Sequence, residues 1–295
     1  MAGWLTFKRA APRPSGRGAV APVAPPPATL QTTAPLLAWL LDHAADANAA
    51  PSRIAEANAI GHLDTLIGGG ELPPGLLSRA PAVIPQLLRL LRQDDASVSA
   101  MAQRVSADPV LTAEVLRRSS SAFYRTQTPV TDIEHAIAML GRNGLQMAIA
   151  SVVLKPLFDA PSGSLSRRAA PRLWDHSTAK ARHGAVLAIA QGLDGFEGYL
   201  AGLLHNTGWT VLLRALDGCE GAAPPFGEAF AARLGRRADR LFAKAVGVWR
   251  ITPPLTALCD ELLRPRTEAP ASPLAGVLRQ ADRAATLELL GAPAR

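Results

Sequence analysis

Apolar residues recur at helical spacing along most of the chain, and no stretch alternates in the manner of a β-strand. Leucines repeat three and four positions apart from Leu36 to Leu41, and the same spacing returns from Ile60 to Ile67. Further runs of this kind follow one another from Leu72 to Leu290. Spacing of three and four residues places apolar side chains on one face of an α-helix. The pattern therefore predicts an all-α protein.

Prolines, glycines and capping residues divide this pattern into separate helices. Asp108 followed by Pro109 is typical of a helix start, because Asp accepts from free backbone N–H groups and Pro fits the first helical position. Thr131 with Glu134 predicts another start, and Gly141 predicts the end of that helix. The later helices are predicted over residues 172–191, 197–216, 228–249, 253–263 and 273–290, with a polar, basic loop over 162–170.

The prolines of residues 10–35 predict an extended segment without helix, since proline lacks a backbone donor and fixes φ. We therefore divide the chain into three predicted parts: a disordered, basic, Pro- and Ala-rich tail over 1–35, a helical extension over 36–70, and one domain over 71–292. Within that domain the helices favour two stacked subdomains, about 72–160 and 172–292.

The composition supports a globular helical protein in a reducing compartment. Hydrophobic residues make up 48% of the chain and aromatic residues only 5%, so Leu, Ala, Val and Ile must build the core. The two cysteines, Cys219 and Cys259, are too few for a disulfide framework and are predicted to be free thiols. No run approaches the ~18 apolar residues of a membrane span, and the N-terminus lacks the apolar region of a secretory signal. We expect a cytoplasmic protein without a membrane span.

The net charge of +7 is concentrated near the N-terminus. Residues 1–35 carry four basic residues and no acidic one, which leaves +7 − 4 = +3 for the remainder of the chain. Such a tail can contact nucleic acid or anionic lipid, but it is also typical of a solubilising leader. We expect no nucleic acid partner.

A second basic cluster lies on one predicted helix. Its members are spaced four, three and four residues apart, so they share a helix face: Arg233, Arg237, Arg240 and Lys244. This face is a candidate dock for an anion or an acidic partner. The alternative interpretation is a solvated helix face in an arginine-rich protein.

Several sequence motifs occur in the order of a known family. The run LPPGLLSRAPAVIPQLLRLL is followed by DPVLTAEVLRRSSSAFY and then by IEHAIAMLG. LWDHSTAKA, YLAGLLHNTGWTVLL, VGVWRITPPL and LRQADRAA come later. Over about residues 71–290 the chain resembles the HDOD domain family, the output-domain relatives of the HD phosphohydrolases. The resemblance implies a helical module, mostly bacterial, that serves in signalling or regulation, with an HD-like C-terminal half.

The resemblance also implies positions for a metal site. HD enzymes hold one or two divalent metals with a first His, a His-Asp pair and a distant Asp, and the metal activates a water for attack on a phosphoester. Here His176 matches the first His, His205 the second His and Asp282 the distant Asp. Asn206 stands where the pair has Asp. Trp209 follows the motif glycine, where many HD enzymes have Lys.

These departures leave three interpretations open. The histidines could be structural, hydrogen-bonded remnants of a metal site; they could hold one weakly bound divalent ion; or the protein could be a working phosphohydrolase acting on a nucleotide or cyclic dinucleotide. Because Asn206 removes a ligand charge, we expect a non-catalytic signalling module with no cofactor beyond such a weak metal. Its protein partner and oligomeric state are not predicted by the sequence.

Two further expectations concern the HD pair itself. The helix over 197–216 is apolar around much of its circumference, so it should be central and buried. His205 and Asn206 should then be hydrogen-bonded, most simply to His176 and Asp282. Asn206→Asp is expected to restore part of the metal affinity, because it returns the missing charge.

Overall fold

The computed structural model describes residues 30–42, 53–77, 80, 82–85, 98–120, 132–159, 163–264 and 272–291. Every long regular element in these ranges is an α-helix, which confirms the predicted all-α class. The helices are α1 (Leu30–Leu41), α2 (Arg53–Gly68), α3 (Val98–Ser106), α4 (Pro109–Ser119), α5 (Ile133–Leu154), α6 (Ser164–Ala190), α7 (Gly195–His205), α8 (Thr207–Leu216), α9 (Glu228–Gly247), α10 (Pro253–Leu263) and α11 (Pro273–Leu289). Two short 3-10 helices cover Pro74–Leu77 and Lys155–Leu157.

Helices α7 and α8 lie at the centre of the molecule. Every residue of α8 is buried, and so is every residue of α7 except Glu197. Helix α6 packs along α7, α9 packs along α8, and α11 packs against both α6 and α7. The prediction that this apolar stretch is central and buried is confirmed. A site on α7 is consequently surrounded by α6, α9 and α11.

The first two helices belong to the same hydrophobic core as the domain that follows them. Helix α1 packs on α6 and α9, and α2 packs mainly on α9. Leu37 and Leu63 from these helices are almost completely buried in the common core. Arg172 of α6 donates at 2.8 Å to the carbonyl oxygen of Trp39 in the last turn of α1, which also accepts from the N–H of Asp42 at 3.2 Å. Helices α1 and α2 are thus packed as an integral layer.

Helices α3, α4 and α5 pack on one another, and α5 connects this group to α7. A buried contact reinforces the connection. The Arg118 guanidinium donates to the hydroxyl of Tyr199, which is 1% exposed on α7, and Glu114 accepts from Arg118 at 2.8 Å. Burial raises the pKa of Tyr199, so the hydroxyl stays protonated at neutral pH. The N-terminal group is therefore linked to the central helix by a hydrogen-bonded cation.

Helix starts and ends that were predicted from local sequence patterns mostly agree with the structure where they lie in the described residues. Asp108 accepts from the backbone N–H groups of Val110 and Leu111, with Pro109 in the first turn, as predicted. The start of α5 was predicted one residue early, because Asp132 is the cap and accepts from the N–H of His135. Gly141 interrupts α5 with φ 62°, where the sequence predicted a helix end. Residues 1–29 of the predicted tail and most of the helix predicted from Pro85 onward lie outside the described residues.

Two predictions that proline or polar residues exclude helix were wrong. Helix α1 begins at Leu30 and contains Pro35, although residues 10–35 were predicted to be extended. Helix α6 begins at Ser164, although residues 162–170 were predicted to be a loop. In α6 the cap comes from a distant part of the chain. The Asp217 carboxylate accepts from the N–H groups of Leu165 and Ser166 at 2.8 and 3.1 Å. Such a cap cannot be seen in the local sequence.

The single helix predicted over 197–216 is divided at Asn206 into α7 and α8. The C-terminus of one helix and the N-terminus of the next thereby meet at the HD pair.

In the described residues one helical segment, Ile133–Leu157, is long and apolar enough to cross a membrane by length and composition. Its most apolar window is 61% buried inside the protein, and α5 packs against α3, α4 and α7. The burial and these contacts are those of a core helix.

Candidate functional site

Three helices and one helix junction bring polar side chains together in the core. Helix α6 contributes His176 and, one turn later, Lys180. His205 ends α7, and Asn206 forms the junction with α8. Asp282 and, one turn later, Thr286 come from α11; we call these six side chains the HD cluster. The structure therefore brings together all four residues that the sequence singled out, and it adds a lysine and a threonine.

Lys180 occupies the centre of the HD cluster. Its side chain is fully buried, and its ammonium contacts Nδ1 of His205 at 2.8 Å and Oδ1 of Asn206 at 2.9 Å. The same ammonium forms an ion pair with the Asp282 carboxylate. An ammonium has three N–H donors and no acceptor. Two of its donors thus face His205 and Asn206, and its positive charge is paired with the Asp282 carboxylate.

The contact with Lys180 fixes the protonation of His205. Because an ammonium can only donate, Nδ1 of His205 accepts, and the proton of the neutral ring is on Nε2. That Nε2 lies 3.1 Å from Oδ1 of Asp239 on α9, to which it donates. The ring also packs edge-on against Phe242 of the same helix, with 5.1 Å between ring centroids. The His205 ring is hence held by contacts at both nitrogens and by its packing against Phe242.

Both the oxygen and the nitrogen of the Asn206 side-chain amide are hydrogen-bonded. Its amide nitrogen donates to the carbonyl oxygen of Leu173 and to Nδ1 of His176, both at 3.1 Å. Since Nδ1 of His176 accepts, Nε2 carries the proton and donates to the Thr286 hydroxyl at 3.0 Å. That hydroxyl in turn donates to the carbonyl oxygen of Asp282 at 2.8 Å. The hydrogen bonds form one continuous chain across α6, the α7–α8 junction and α11.

The environment of the cluster shifts two pKa values downward. Burial, together with the charge of Lys180, lowers the pKa of His176 to about 3, so this ring is neutral at ordinary pH. Burial alone would raise the pKa of Asp282, but the charge and hydrogen bond of Lys180 outweigh burial and hold that pKa well below its usual range. Asp282 is accordingly a carboxylate that neutralises Lys180.

Comparison with known proteins assigns about half of this chain to a family. The family model of the HDOD domain matches residues 77–220, which include His176, Lys180, His205 and Asn206. The chain carries an HDOD domain. Asp282 lies beyond the matched residues, in the helix that closes the HD cluster. No curated protein is significantly similar in sequence.

Solved structures share the fold of this HDOD protein over most of its length. An HDOD domain protein of unknown function from Geobacter sulfurreducens has a TM-score of 0.55 and 23% identity, covering 80% of each chain. A candidate metal-dependent phosphohydrolase from Shewanella amazonensis has a TM-score of 0.57 and 19% identity, covering 77% of this chain and 82% of its own. A candidate phosphohydrolase from the same organism has a TM-score of 0.51 and 24% identity, over 72% and 81%. At these identities the similarity shows the fold alone.

The HD cluster of this HDOD domain does not fit a divalent metal ion. A metal bound to His205, Asn206 and Asp282 would have to stand where the Lys180 ammonium stands, about 2.0–2.2 Å from each ligand atom. His176 has no free lone pair, because Nδ1 accepts from Asn206 and Nε2 carries a proton. Within the described part of the chain, no three His, Cys, Asp or Glu side chains are grouped so that they could hold a metal.

Sequence reasoning found four of the six members of the HD cluster and missed Lys180 and Thr286. It predicted that His205 and Asn206 would be bonded to His176 and Asp282, which is right for Asn206 with His176. His205 instead bonds to Lys180 and Asp239, and its Nδ1 is 3.8 Å from the Asp282 carboxylate. The spacing of four residues between His176 and Lys180 puts both on one helix face, which was the available signal. It was overlooked because lysine is rarely fully buried.

The predicted basic face on α9 is divided by the structure. Arg237 donates to both carboxylate oxygens of Asp64 at 2.9 and 2.6 Å. Lys244 donates to backbone carbonyls at the end of α2, including those of Leu66 and Gly69 at 2.7 and 2.6 Å. Arg233 and Arg240 are exposed. Two of the four basic residues thus fasten α2 to the domain, and two remain at the surface.

We expect His205→Ala to lower the free energy of unfolding by about 1–3 kcal/mol, because it removes one acceptor of the buried Lys180 ammonium and the hydrogen bond to Asp239. Urea denaturation of the two proteins measures the difference. His62→Ala is the matched control, since His62 is exposed on α2 and its loss should cost less than about 0.5 kcal/mol. Equal effects of the two substitutions would contradict a structural role for His205.

Proposed function

We propose that this protein is a non-catalytic, cytoplasmic HDOD signalling module that acts by binding a partner protein. The observation that supports the proposal is the closure of the HD cluster. His176, His205 and Asn206 are already hydrogen-bonded to other groups of the protein, and the Asp282 carboxylate is ion-paired with Lys180. A site in this state has no open coordination position, which metal-dependent hydrolysis needs for the attacking water.

The same closure supports a role in recognition. Buried polar groups that are paired with one another hold their helices in one arrangement, since an alternative packing would leave them without partners. The HD cluster joins α6, α7, α8 and α11 in this way. The surfaces of these helices are thereby presented as one rigid unit, which reduces the conformational entropy lost when a partner binds. We include no role for nucleic acid or a bound cofactor.

The proposal predicts that the purified protein holds no stoichiometric metal and does not hydrolyse phosphodiesters. Elemental analysis measures iron, manganese and zinc, and bis-p-nitrophenyl phosphate with added manganese serves as a general phosphodiester probe. His205→Gln is the matched control, since its side-chain oxygen can still accept from Lys180. Turnover by the natural protein that His205→Gln abolishes would establish a hydrolase and overturn the proposal.

Partner binding is tested with the natural protein and with His205→Gln. Affinity capture after cross-linking in the native cells should recover the same protein partner with the natural chain and with His205→Gln. The expected result is equal recovery, because the substitution is internal and leaves the surface unchanged. Loss of the partner with His205→Gln, in a variant that unfolds at the same urea concentration, would show that the HD cluster itself is used in binding.

A further inference from the structure

The position of Lys180 resembles that of a ligated ion more than that of an ordinary ion pair. Its ammonium is contacted by groups from the end of α7, from the α7–α8 junction and from α11, while its own backbone belongs to α6. Metal ions in proteins join distant segments in this manner, through donor atoms converging on one positive charge. Here the positive charge is attached to the chain.

The charges of the HD cluster match a monovalent cation. Lys180 carries one positive charge and Asp282 one negative charge, while His205 and Asn206 are neutral in the hydrogen-bonding arrangement described above. A divalent ion in place of the ammonium would leave one positive charge in excess in the interior, which is costly. An aspartate at position 206 together with Lys180 would instead leave one negative charge in excess. Asn206 is therefore the complement of Lys180.

The amide of Asn206 supplies a second reason for this complementarity. Its nitrogen donates to the Leu173 carbonyl and to Nδ1 of His176. A carboxylate at that position would have no proton to donate and would face two acceptors at about 3 Å. Asn206 thus has a positive function in the network and cannot be described only as the loss of a ligand.

We infer that the Lys180 ammonium is a built-in replacement for the metal ion, which holds α6, α7 and α11 together and excludes divalent metals from the HD cluster. The inference rests on the proposed function, because a metal-dependent hydrolase would need the metal that Lys180 excludes. Its test measures stability and metal binding, whereas the proposed function is tested by turnover and partner capture, so the two can fail separately.

The stability arm compares Lys180→Met with Arg182→Ala. The methionine retains much of the side-chain volume and removes the charge, which leaves the Asp282 carboxylate without its cation. Arg182 lies on the same helix, exposed, in an ion pair with Glu288. Thermal unfolding should show a Tm lowered by about 5–10 °C for Lys180→Met and by less than about 2 °C for Arg182→Ala. Equal Tm values for the two variants would overturn the inference.

The metal arm uses zinc chloride and EDTA with the natural protein, Asn206→Asp and the double variant Lys180→Ala/Asn206→Asp. Neither reagent should change the Tm of the natural protein or of Asn206→Asp, because Lys180 still occupies the space in both. This replaces the expectation from the sequence that a carboxylate at position 206 is enough to restore metal affinity. In the double variant the space is open and the charge is restored, so zinc at ~100-fold excess over its Kd should raise the Tm by about 5 °C. Adding His205→Ala to the double variant should abolish this rise.

Two results of the metal arm would overturn the inference. One is a zinc-dependent rise in Tm of the natural protein that His205→Ala removes, since this would show that zinc displaces Lys180. The other is a folded double variant whose Tm and calorimetric titration show no zinc binding, since this would show that Lys180 is not what excludes the metal. If the double variant does not fold, the comparison of Lys180→Met with Arg182→Ala still decides whether the ammonium holds the helices together.

Discussion

Gly208→Ala should destabilise the protein by about 3 kcal/mol or more, or prevent it from folding. Gly208 lies in the first turn of α8, where that helix packs on α9. A Cβ added at Gly208 would overlap the carbonyl oxygen of Ala238 and would lie 2.9 Å from Cβ of Phe242. The overlap is with backbone, so it can be relieved only by moving one helix away from the other. Because Phe242 also packs on His205, such a shift would loosen the HD cluster.

The matched control for this prediction is Gly61→Ala. Gly61 is exposed within α2, and a Cβ there would meet nothing within 4 Å. Alanine favours helix over glycine by about 0.5–1 kcal/mol, so this substitution should stabilise the protein slightly. Urea denaturation of both variants should give changes of opposite sign. If Gly208→Ala were neutral, the close approach of α8 and α9 would not be a constraint on this fold.

The stability of the protein should fall as the pH decreases below about 6.5, and His176 should be one of the causes. The pKa of His176 is about 3 in the folded protein, whereas an unfolded histidine has an ordinary value of 6.5. Between these values the unfolded chain binds a proton that the folded protein does not bind. The neutral ring therefore contributes fully to the free energy of unfolding above the pKa of histidine in the unfolded chain. This contribution is lost as the pH falls towards the pKa of His176 in the folded protein. A single group of this kind changes the free energy of unfolding by up to about 1.4 kcal/mol per pH unit.

Urea denaturation at several pH values between about 7.5 and 4.5 tests this prediction. His176→Gln removes the titrating group, so its free energy of unfolding should depend less steeply on pH than that of the natural protein. His62→Gln removes an exposed histidine and should leave the slope unchanged. The carboxylates titrate in all three proteins, so differences in slope report the histidines. A slope for His176→Gln equal to that of the natural protein would contradict the prediction.

A helix start could be predicted from the sequence only where the residues that stabilise it lie close to it along the chain. Asp108 and Pro109 determine the start of α4, because the N–H groups that Asp108 caps are two and three residues away. The start of α6 depends on Asp217, about fifty residues away, and was missed. The start of α1 was missed for a related reason. Pro35 disfavours helix locally, but burial of neighbouring leucines against α6 and α9 stabilises the helix.

The HD cluster likewise has residues that the sequence predicted and residues that only the tertiary structure revealed. The motifs located His176, His205, Asn206 and Asp282, and the structure brings all four together. They did not show that Lys180 lies among them, since lysine at position 180 could equally point to solvent. The spacing of the basic residues on α9 correctly placed them on the same side of the helix, but α2 covers part of that side. Arg237 and Lys244 therefore bond to α2. In both cases the missing information was the identity of the neighbouring helix.

The sequence by itself determined the helical class, most helix positions in the described residues, the family and four of the six residues of the HD cluster. The helical class and the helix positions depend on periodicity within short segments, where chain geometry fixes which residues are neighbours. The family and the four cluster residues were implied by the resemblance of the motifs. Only the tertiary structure decided how the cluster is occupied. A buried ammonium is stable only where acceptors from separate helices converge on it, because an unpaired charge in the interior is costly. That convergence depends on the packing of α6, α7 and α11, and it makes Lys180 the cation of this site.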